Sequence, residues 1–462
     1  MTKSLTFNHL EFTYPGSPDP VFSDVTLQLY PGWTAITGPN GAGKTTLIKL
    51  LCEKSGLHAV YVEQRTDDAP EGFAAFLNAT DGEAFKLREI LGLQREWADR
   101  WQTLSHGERK RAQIGAALYQ RPDLLAVDEP TNHLDSAARA FVADALQRFR
   151  GFGLLISHDR ALLDALCGHT IMMAHGEVQM RRQGYATARE ERQKEEVFAT
   201  TQYERQSRAI KKLEKQVDRQ RLKIEADKKR LSKSRVDPKD TDKKTRIDLA
   251  ILTGKDAIEG RILNRTQSRL KHAEAALGEK RPVYETGIAL EAQSCPGLFP
   301  LAVDEKHLLR EGDRIGIVGP NGSGKSTFVK KLAESCDAKA PAVLYLPQEI
   351  TADESAALLA QIKAAKPDEK GFLMSLFVRL GGDAKSLLES AVPSPGETRK
   401  LMLALGLTRK PALIIMDEPT NHLDIVSIEA LEKALIDYAG TLVLVSHDER
   451  FLANTVAEIW RF

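Results

Sequence analysis

What the sequence lacks narrows it first. No run approaches the roughly 18 uncharged apolar residues that a membrane-crossing helix requires, and Met1–Leu10 shows no basic-then-apolar signal pattern. Membrane insertion and export are therefore not expected, and the expected location is cytoplasmic. Cysteine is scarce: Cys52, Cys167, Cys295 and Cys336 stand apart without paired or ligand spacing, which argues for reduced thiols rather than a disulfide framework or a zinc site. Net charge is nearly nil, +1 from 65 Lys+Arg against 64 Asp+Glu. That balance hides an asymmetry, because residues 181–281 hold 29 basic against 17 acidic residues, a net +12 that leaves −11 for the rest. A polyanionic partner meeting the middle of the chain is the expectation. At 462 residues, 42% hydrophobic and 28% charged, the chain is globular in composition and long enough for two ordinary domains and something extra.

The extra length is organised by a repeat. Gly38-Pro-Asn-Gly-Ala-Gly-Lys-Thr45 recurs as Gly319-Pro-Asn-Gly-Ser-Gly-Lys-Ser326, an offset of 281 residues between Lys44 and Lys325. Asp128-Glu-Pro-Thr-Asn-His-Leu-Asp135 returns as Asp417-Glu-Pro-Thr-Asn-His-Leu-Asp424, and Ser157-His-Asp159 as Ser446-His-Asp448. From Ser105 to Asp128 and from Ser394 to Asp417 the step is 23 residues, and from each Asp to the following histidine it is 30. A whole domain is duplicated. In each copy an apolar run (Thr34 to Thr37; Arg314 to Val318) enters the glycine-rich loop and a helical pattern leaves it. Leu124 to Val127 and Leu413 to Met416 read as buried strands ending at the acidic pairs, so each copy is expected to be an α/β domain with its ligand at the carboxyl ends of a mostly parallel sheet.

Between the copies the texture changes. Ile210, Val217, Ile224 and Leu231 fall seven apart among charged residues; after a break containing Pro238 and Gly254, Leu263, Leu270 and Leu277 repeat the spacing. The pattern predicts an α-helical hairpin, an antiparallel coiled coil whose first helix, roughly 188–232, would extend about 65 Å at 1.5 Å per residue. Its tip, about 232–256, carries Lys233, Arg235, Lys239, Lys243, Lys244 and Arg246, with no base-reading signature. The expected domains are 1–183, the basic linker 184–283, and 284–462. A charged coiled coil solvated on all sides is the bland alternative.

The repeated loop carries chemistry. Glycines let successive backbone N–H groups turn onto phosphate oxygens while a helix N-terminus faces them. The phosphate-binding residues are then Gly38, Asn40, Gly41, Gly43, Lys44, Thr45 and Thr46 in one copy, and Gly319, Asn321, Gly322, Gly324, Lys325, Ser326 and Thr327 in the other. Lys44 and Lys325 would reach the β- and γ-phosphates of ATP, and Thr45 and Ser326 would offer hydroxyls to Mg²⁺. Asp128 and Asp417 follow buried strands, where an unpaired carboxylate is costly, so a metal-linked role suits them. Glu129 and Glu418 are placed to polarise the attacking water as catalytic bases. Two chance glycine turns, or glutamates that merely cap a loop, are the competing readings.

Together, Tyr61-Val-Glu-Gln64, Leu104-Ser-His-Gly-Glu108 and Glu129 to Asp135, with Gln348, Ser394-Pro-Gly-Glu397 and Glu418 to Asp424 in the second copy, resemble the Q-loop, signature and D-loop of ATP-binding cassette proteins. The resemblance covers all but the middle segment. It implies a head-to-tail pair of cassettes in which each ATP lies between one phosphate loop and the other cassette's signature (Ser105, Gly107, Glu108; Ser394, Gly396, Glu397). It also implies γ-phosphate-sensing histidines at His158 and His447, an adenine-stacking aromatic at Tyr14, and Gln64 and Gln348 as further Mg²⁺ ligands. More narrowly, two cassettes in one chain with a charged helical linker resemble the ABC-F family of translation-associated ATPases. That resemblance implies a monomer with intramolecular cassette pairing and no obligate protein partner. It further implies that the linker contacts the ribosome, its rRNA and tRNA included, in regulating translation or protecting it from antibiotics. A +12 arm fits such a partner through counterion release. A DNA repair or chromosome-associated ATPase and the ATPase subunit of a membrane transporter are the other classes.

Several positions depart from the pattern. Cys295 stands where alignment of Pro296-Gly297 on Pro15-Gly16 would place the partner of Tyr14, so weaker adenine binding is expected at the second site. Pro393 replaces the usual leucine before the second signature and His106 the common glycine in the first, and each is expected to slow closure at its site. Only 41 residues separate Gln64 from Ser105 and 46 separate Gln348 from Ser394, which predicts compact helical subdomains without a long arm in the first cassette, and a basic C-terminal extension of the kind some relatives carry is not expected.

Overall fold

The computed structural model describes residues 4–16, 18–174, 176–230, 255–277, 290–303, 307–336, 342–382, 384, 387 and 393–462. Two compact units emerge, one built from Met1–Ala188 together with Tyr284–Phe462, the other from Arg189–Val283. In the first half of the larger unit, β1 (Leu5–Phe12) and β2 (Phe22–Leu29) pair antiparallel. The main sheet contains β3 (Gly32–Thr37), β4 (Ala59–Val62), β5 (Leu124–Asp128), β6 (Phe152–Ile156), β7 (Cys167–Ala174) and β8 (Glu177–Arg181) in the order β4-β5-β6-β3-β7-β8. All its pairings are parallel except β7 with β8. β5 and β6 are buried at every position, as their unbroken apolar sequences require when both faces of a parallel sheet are covered.

The helices of this half are α1 (Lys44–Lys54), α2 (Phe73–Asn78), α3 (Gly82–Leu91), α4 (His106–Tyr119), α5 (Ser136–Gln147) and α6 (Arg160–Leu166). α1 buries Leu47, Ile48 and Leu51 against one face of the sheet with Leu124 and Leu154. α2, α3 and α4 join Phe73, Phe76, Leu91 and Ile114 to the core on the opposite face. The segment between Gln64 and Ser105 is thus short helices folded onto the core.

The smaller unit is helical. α7 (Tyr185–Arg230) enters it and α8 (Lys255–Ala276) follows within it. At about 1.5 Å per residue, α7 is about 69 Å long. Ile210 and Val217 are buried and Ile224 half-buried, while the charged residues between them are exposed; Leu263, Leu270 and Leu277 are half-buried around a buried Thr266. Shielded stripes repeating every seven residues on two helices are what packing along a common seam produces. Exposed pairs four residues apart, Lys194 with Glu190 (2.7 Å) and Arg208 with Glu204 (3.0 Å), brace the outer face of α7. Leu231, Pro238, Gly254 and the basic tip lie outside the described residues, and among those described no helix is long and apolar enough to cross a membrane.

The second half of the larger unit repeats the first. β9 (Leu301–Ala302) and β10 (Leu308–Leu309) pair antiparallel, and β11 (Arg314–Val318), β12 (Val343–Leu346), β13 (Leu413–Asp417), β14 (Thr441–Val445) and β15 (Glu458–Arg461) form a parallel sheet in the order β12-β13-β14-β11-β15. Its helices are α9 (Lys325–Ser335), α10 (Ala352–Ala364), α11 (Pro367–Arg379), α12 (Pro395–Thr408), α13 (Ile425–Asp437) and α14 (Glu449–Thr455). The halves are tied by a buried ion pair: Arg160, at the start of α6, donates to Glu432 on α13 at 2.8 Å and lies 3.6 Å from Asp448. Buried pairs of this kind specify an arrangement more than they stabilise it, since desolvation offsets the attraction.

One close approach fixes the first sheet. Gly153 in β6 stands opposite Trp33 in β3, and a Cβ there would fall 2.5 Å from the indole. Trp33 is buried and donates from Nε1 to the Leu146 carbonyl at 2.9 Å. Gly153→Val must displace the ring from that bond, and overpacking of this kind costs about 1–3 kcal/mol. The expected result is a clear fall in the thermal unfolding midpoint; an unchanged midpoint would show that the ring has room to move.

Candidate functional site

Each glycine-rich loop leaves the end of its strand, β3 or β11, and turns directly into a helix, α1 or α9. Gly43 and Gly324 cap those helices in the left-handed region (φ 87° and 94°), and Gly41 and Gly322 adopt it as well (80° and 82°), so the turn is open to glycine at little cost. The first glycines are needed for another reason. A Cβ on Gly38 would sit 2.3 Å from the Met173 carbonyl oxygen, and one on Gly319 would sit 2.6 Å from that of Phe462. Lys44 and Lys325 are buried and curl back on their own loops, Lys44 Nζ donating to Gly38 and Pro39 at 2.8 and 3.0 Å and Lys325 Nζ to Gly319 and Pro320, both at 2.8 Å.

The acidic pairs close β5 and β13. Thr45 donates to Asp128 Oδ2 at 2.8 Å, an acceptor that Tyr61 shares at 3.1 Å, whereas Ser326 donates to Gln348 Oε1 at 3.3 Å. Gln64 is exposed, and its carbonyl is held by Lys110. Asp417 Oδ1 is buried without a protein hydrogen-bond partner among the described residues. One hydroxyl and one carboxylate per loop, with an amide oxygen beside Ser326, is a hard-oxygen set of the sort Mg²⁺ takes while keeping most of its waters.

Glu129 and Glu418 sit in left-handed backbone (φ 47° and 48°), as do His133 and His422 (59° and 63°). For residues with a Cβ this conformation is strained and persists only where the surroundings enforce it. The glutamates accept from the backbone N–H of His158 (3.2 Å) and His447 (3.4 Å). The His158 ring reaches within 3.1 Å of Glu129 Oε1 without hydrogen-bonding alignment, and the His447 ring within 3.7 Å of Glu418 Oε1. Burial raises both carboxyl groups, Glu418 to about 7, with the adjacent aspartates adding to the rise. Burial also holds His158 and His447 below the usual histidine range, His447 at about 4, so both rings are neutral near pH 7.

The loops meet the opposite cassette. The Asn40 backbone N–H donates to Asp424 Oδ2 at 3.0 Å and its side chain to the His422 carbonyl at 3.1 Å. Asn321 does the same with Asp135 (3.5 Å) and the His133 carbonyl (3.2 Å), and its Oδ1 lies 3.3 Å from His447 Nε2. Gly396 has no room for a Cβ, which would lie 2.6 Å from the His422 carbonyl oxygen and 3.1 Å from Asn40 Nδ2. The second signature therefore abuts the first phosphate loop. Ser105 and Ser394 cap α4 and α12, each in a reciprocal capping box with Glu108 or Glu397. Gly107 lies against Leu134, where a Cβ would come within 3.0 Å of the leucine side chain. Pro393 is buried like its counterpart Leu104, and the His106 ring packs against His133 at 5.0 Å.

Tyr14 is exposed, packs edge-on against Phe12 and bonds Thr46 Oγ1 through its hydroxyl at 2.6 Å, while Thr327 lines the second loop's cavity. Cys295, in contrast, is half-buried against the second core. Sequence reasoning missed a pair of cations. Lys110 and Arg399 are buried, each five residues past its signature serine, and each holds carbonyls of the Gln64 or Gln348 segment; Arg399 also holds that of Glu418. Their equal spacing in both copies was the available signal. Arg139, which reaches the second loop's cavity, has no basic counterpart in the repeat, whereas Lys400, which pairs with Asp424 at 3.3 Å, stands six residues past its signature serine where the first copy has Arg111.

The family model described as ABC transporter matches residues 53–132 and 306–379. The ATP-binding protein Uup of Caulobacter vibrioides is 29% identical over 94% of this chain and 73% of its own length. The probable ATP-binding protein YheS of Haemophilus influenzae is 32% identical over 77% of this chain, which spans just over half (55%) of that relative. The ribosome protection protein VmlR of Bacillus subtilis is 27% identical over 96% of this chain and 84% of its own length. The archaeal ribosome recycling factor aABCE1, solved with the stalk protein aP1, shares the fold at a TM-score of 0.56 with 20% identity, covering 98% of this chain and 86% of its own. With both phosphate loops, both signatures and both acidic pairs in place, the chain is a tandem pair of ATP-binding cassettes, an ATPase that is similar along nearly its whole length to ATP-binding proteins of the ABC-F type.

Proposed function

We propose that this protein holds two Mg-ATP between its cassettes, one on each phosphate loop, and couples their binding and hydrolysis to association with the ribosome in the cytoplasm through the basic linker, 184–283. The observation that carries the clamp is the seating of Gly396 against Asn40, which leaves a nucleotide on the first loop facing the second signature. Lys44 and Lys325 leave their loop carbonyls for the β- and γ-phosphates, and the helix N-termini behind them supply N–H donors. Thr45, Gln64 and Asp128 hold one Mg²⁺ and Ser326, Gln348 and Asp417 the other; the ion supplies charge neutralisation at the phosphate oxygens.

Glu129 and Glu418 accept a hydrogen bond from water, aligning it to attack the γ-phosphorus as the bond to the bridging oxygen breaks and ADP leaves. A carboxyl held near neutrality by burial is suited to take that proton. His158 and His447, neutral and beside those glutamates, contact the γ-phosphate, and Tyr14 stacks on adenine. The ribosomal partner is supported by the relative named a ribosome protection protein and by the charge of the linker.

Glu129→Gln with Glu418→Gln should lower phosphate release at least about 100-fold, the scale set by loss of one placed catalytic group, while ATP stays bound and the protein co-sediments with ribosomes. Equal co-sedimentation of the parent protein with ATP, ADP or no nucleotide would count against coupling. The arm is tested separately through Lys211, Lys212, Lys215 and Arg219, all exposed on α7. Replacing them with alanine should weaken ribosome binding and flatten its logarithmic salt dependence by roughly 0.7–0.9 for each RNA phosphate they had neutralised. An unaltered slope would mean that this stretch of the linker does not lie on RNA.

A further inference from the structure

The two nucleotide sites differ in the cation that reaches each from the opposite cassette: Lys400, paired with Asp424 at 3.3 Å, at the first and Arg139 at the second. α5 begins after the D-loop Asp135, and four residues on it carries Arg139; the same place in the other cassette, four past Asp424, is Ile428, buried in the core at 1% exposed. Arg139 points away from its own cassette's phosphate loop. Its Nε donates to the Leu134 carbonyl and its NH1 to the carbonyl of His447, both at 3.1 Å, and NH1 lies 3.6 Å from Asp159. The guanidinium is thereby held from both sides of the cassette interface. It lines a cavity of about 350 Å³ with Lys325, Ser326, Glu418 and His447, and its charge is felt at both Glu418 and His447.

Asp159 does not fully occupy it. That carboxylate also caps α6 through the Leu162 N–H at 3.0 Å, and its contact with Arg139 is longer than a hydrogen bond. A half-buried arginine, backbone-anchored at the wall of a site built for a triphosphate, is a planar donor aimed at phosphate oxygens.

Resting on the two-site reading above, we propose that Arg139 is a phosphate-binding residue delivered in trans, contacting the terminal phosphate of the nucleotide on the Lys325 loop, whereas the cation that crosses to the Lys44 site, Lys400, is already paired with Asp424. An arginine supplied from across an interface stabilises both the γ-phosphate and the charge that spreads over it during transfer. The second site then distinguishes ATP from ADP more sharply than the first, and closure is read unequally by the two nucleotides.

The test uses the full chain carrying Glu129→Gln and Glu418→Gln, titrated with Mg-ATP and Mg-ADP by calorimetry, with and without Arg139→Ala or Arg139→Lys. Lys325→Ala in the same background identifies the second-site step. Arg139→Ala should weaken that one ATP step about tenfold or more, as loss of a charge-assisted hydrogen bond requires. The other ATP step and both ADP steps should stay within about twofold, and Arg139→Lys should recover part of the loss. Equal weakening of both ATP steps, a parallel loss of ADP binding, or no change would overturn the inference and leave Arg139 a strut of the interface. A parent chain that captures no ATP at all would overturn the two-site reading itself, and this inference with it.

Discussion

Each phosphate loop here is finished by the other half of the chain. Asn40 and Asn321 commit a backbone N–H and a side-chain amide to the opposite D-loop, so the backbone that cradles a phosphate is also the backbone that joins the cassettes. Those contacts are polar bonds of 3.0–3.5 Å between main chain and small side chains, and the longest of them leaves little room for further displacement. The junction also gathers like charge. Lys44 feels Lys400 of the opposite cassette, and Lys325 stands beside a cavity that Arg139 enters from the other side. Burying such cations together is costly unless anions join them. Asp128, Glu129 and Asp424 offset part of that cost around Lys44, and Asp417, Glu418 and Asp135 around Lys325; under the proposed function, phosphates held on the two loops add to that compensation.

Strain marks the same places. Glu129, His133, Glu418 and His422 adopt left-handed backbone in both copies, although none is glycine. The turn after each acidic pair puts the glutamate side chain under the backbone N–H of the following histidine segment while its own backbone continues the pairing with β6 or β14, Glu129 donating to Ile156 and Glu418 to Val445. A relaxed conformation could not serve both demands. Buried carboxylates in strained turns are poor for stability and well placed for chemistry.

Much of this was legible beforehand because the chemistry repeats. Two loops of identical glycine spacing, with acidic pairs and histidines at equal intervals, point to a nucleotide site without reference to packing, and uniformly apolar runs such as Leu124 to Val127 mark buried parallel strands. The seven-residue spacing of Ile210, Val217 and Ile224 likewise anticipated which face of α7 is shielded, although the helix begins at Tyr185 rather than near residue 188. What stayed hidden were side chains whose role depends on the opposite cassette or on a distant turn. Lys110 and Arg399 look like ordinary helix-surface cations until the Gln64 and Gln348 segments are folded over them. Gly396 is held to glycine first by the His422 carbonyl of its own cassette and then by Asn40 from the other, and neither contact is visible in the sequence.

Two departures from symmetry bear on the sites themselves, one where the two halves touch and one where the base is proposed to lie. Tyr14 stands exposed at the first loop while Cys295 is packed into the second core, which under the proposed roles favours the first site for adenine. Arg139 and Ile428 reverse the advantage at the phosphate end. A site that grips the base and one that grips the terminal phosphate respond differently to hydrolysis, since ADP keeps the base and loses the phosphate. Duplicated cassettes that diverge in this way separate retention from release: one nucleotide is suited to holding the halves together through a cycle, the other to reporting when its terminal bond has been cut.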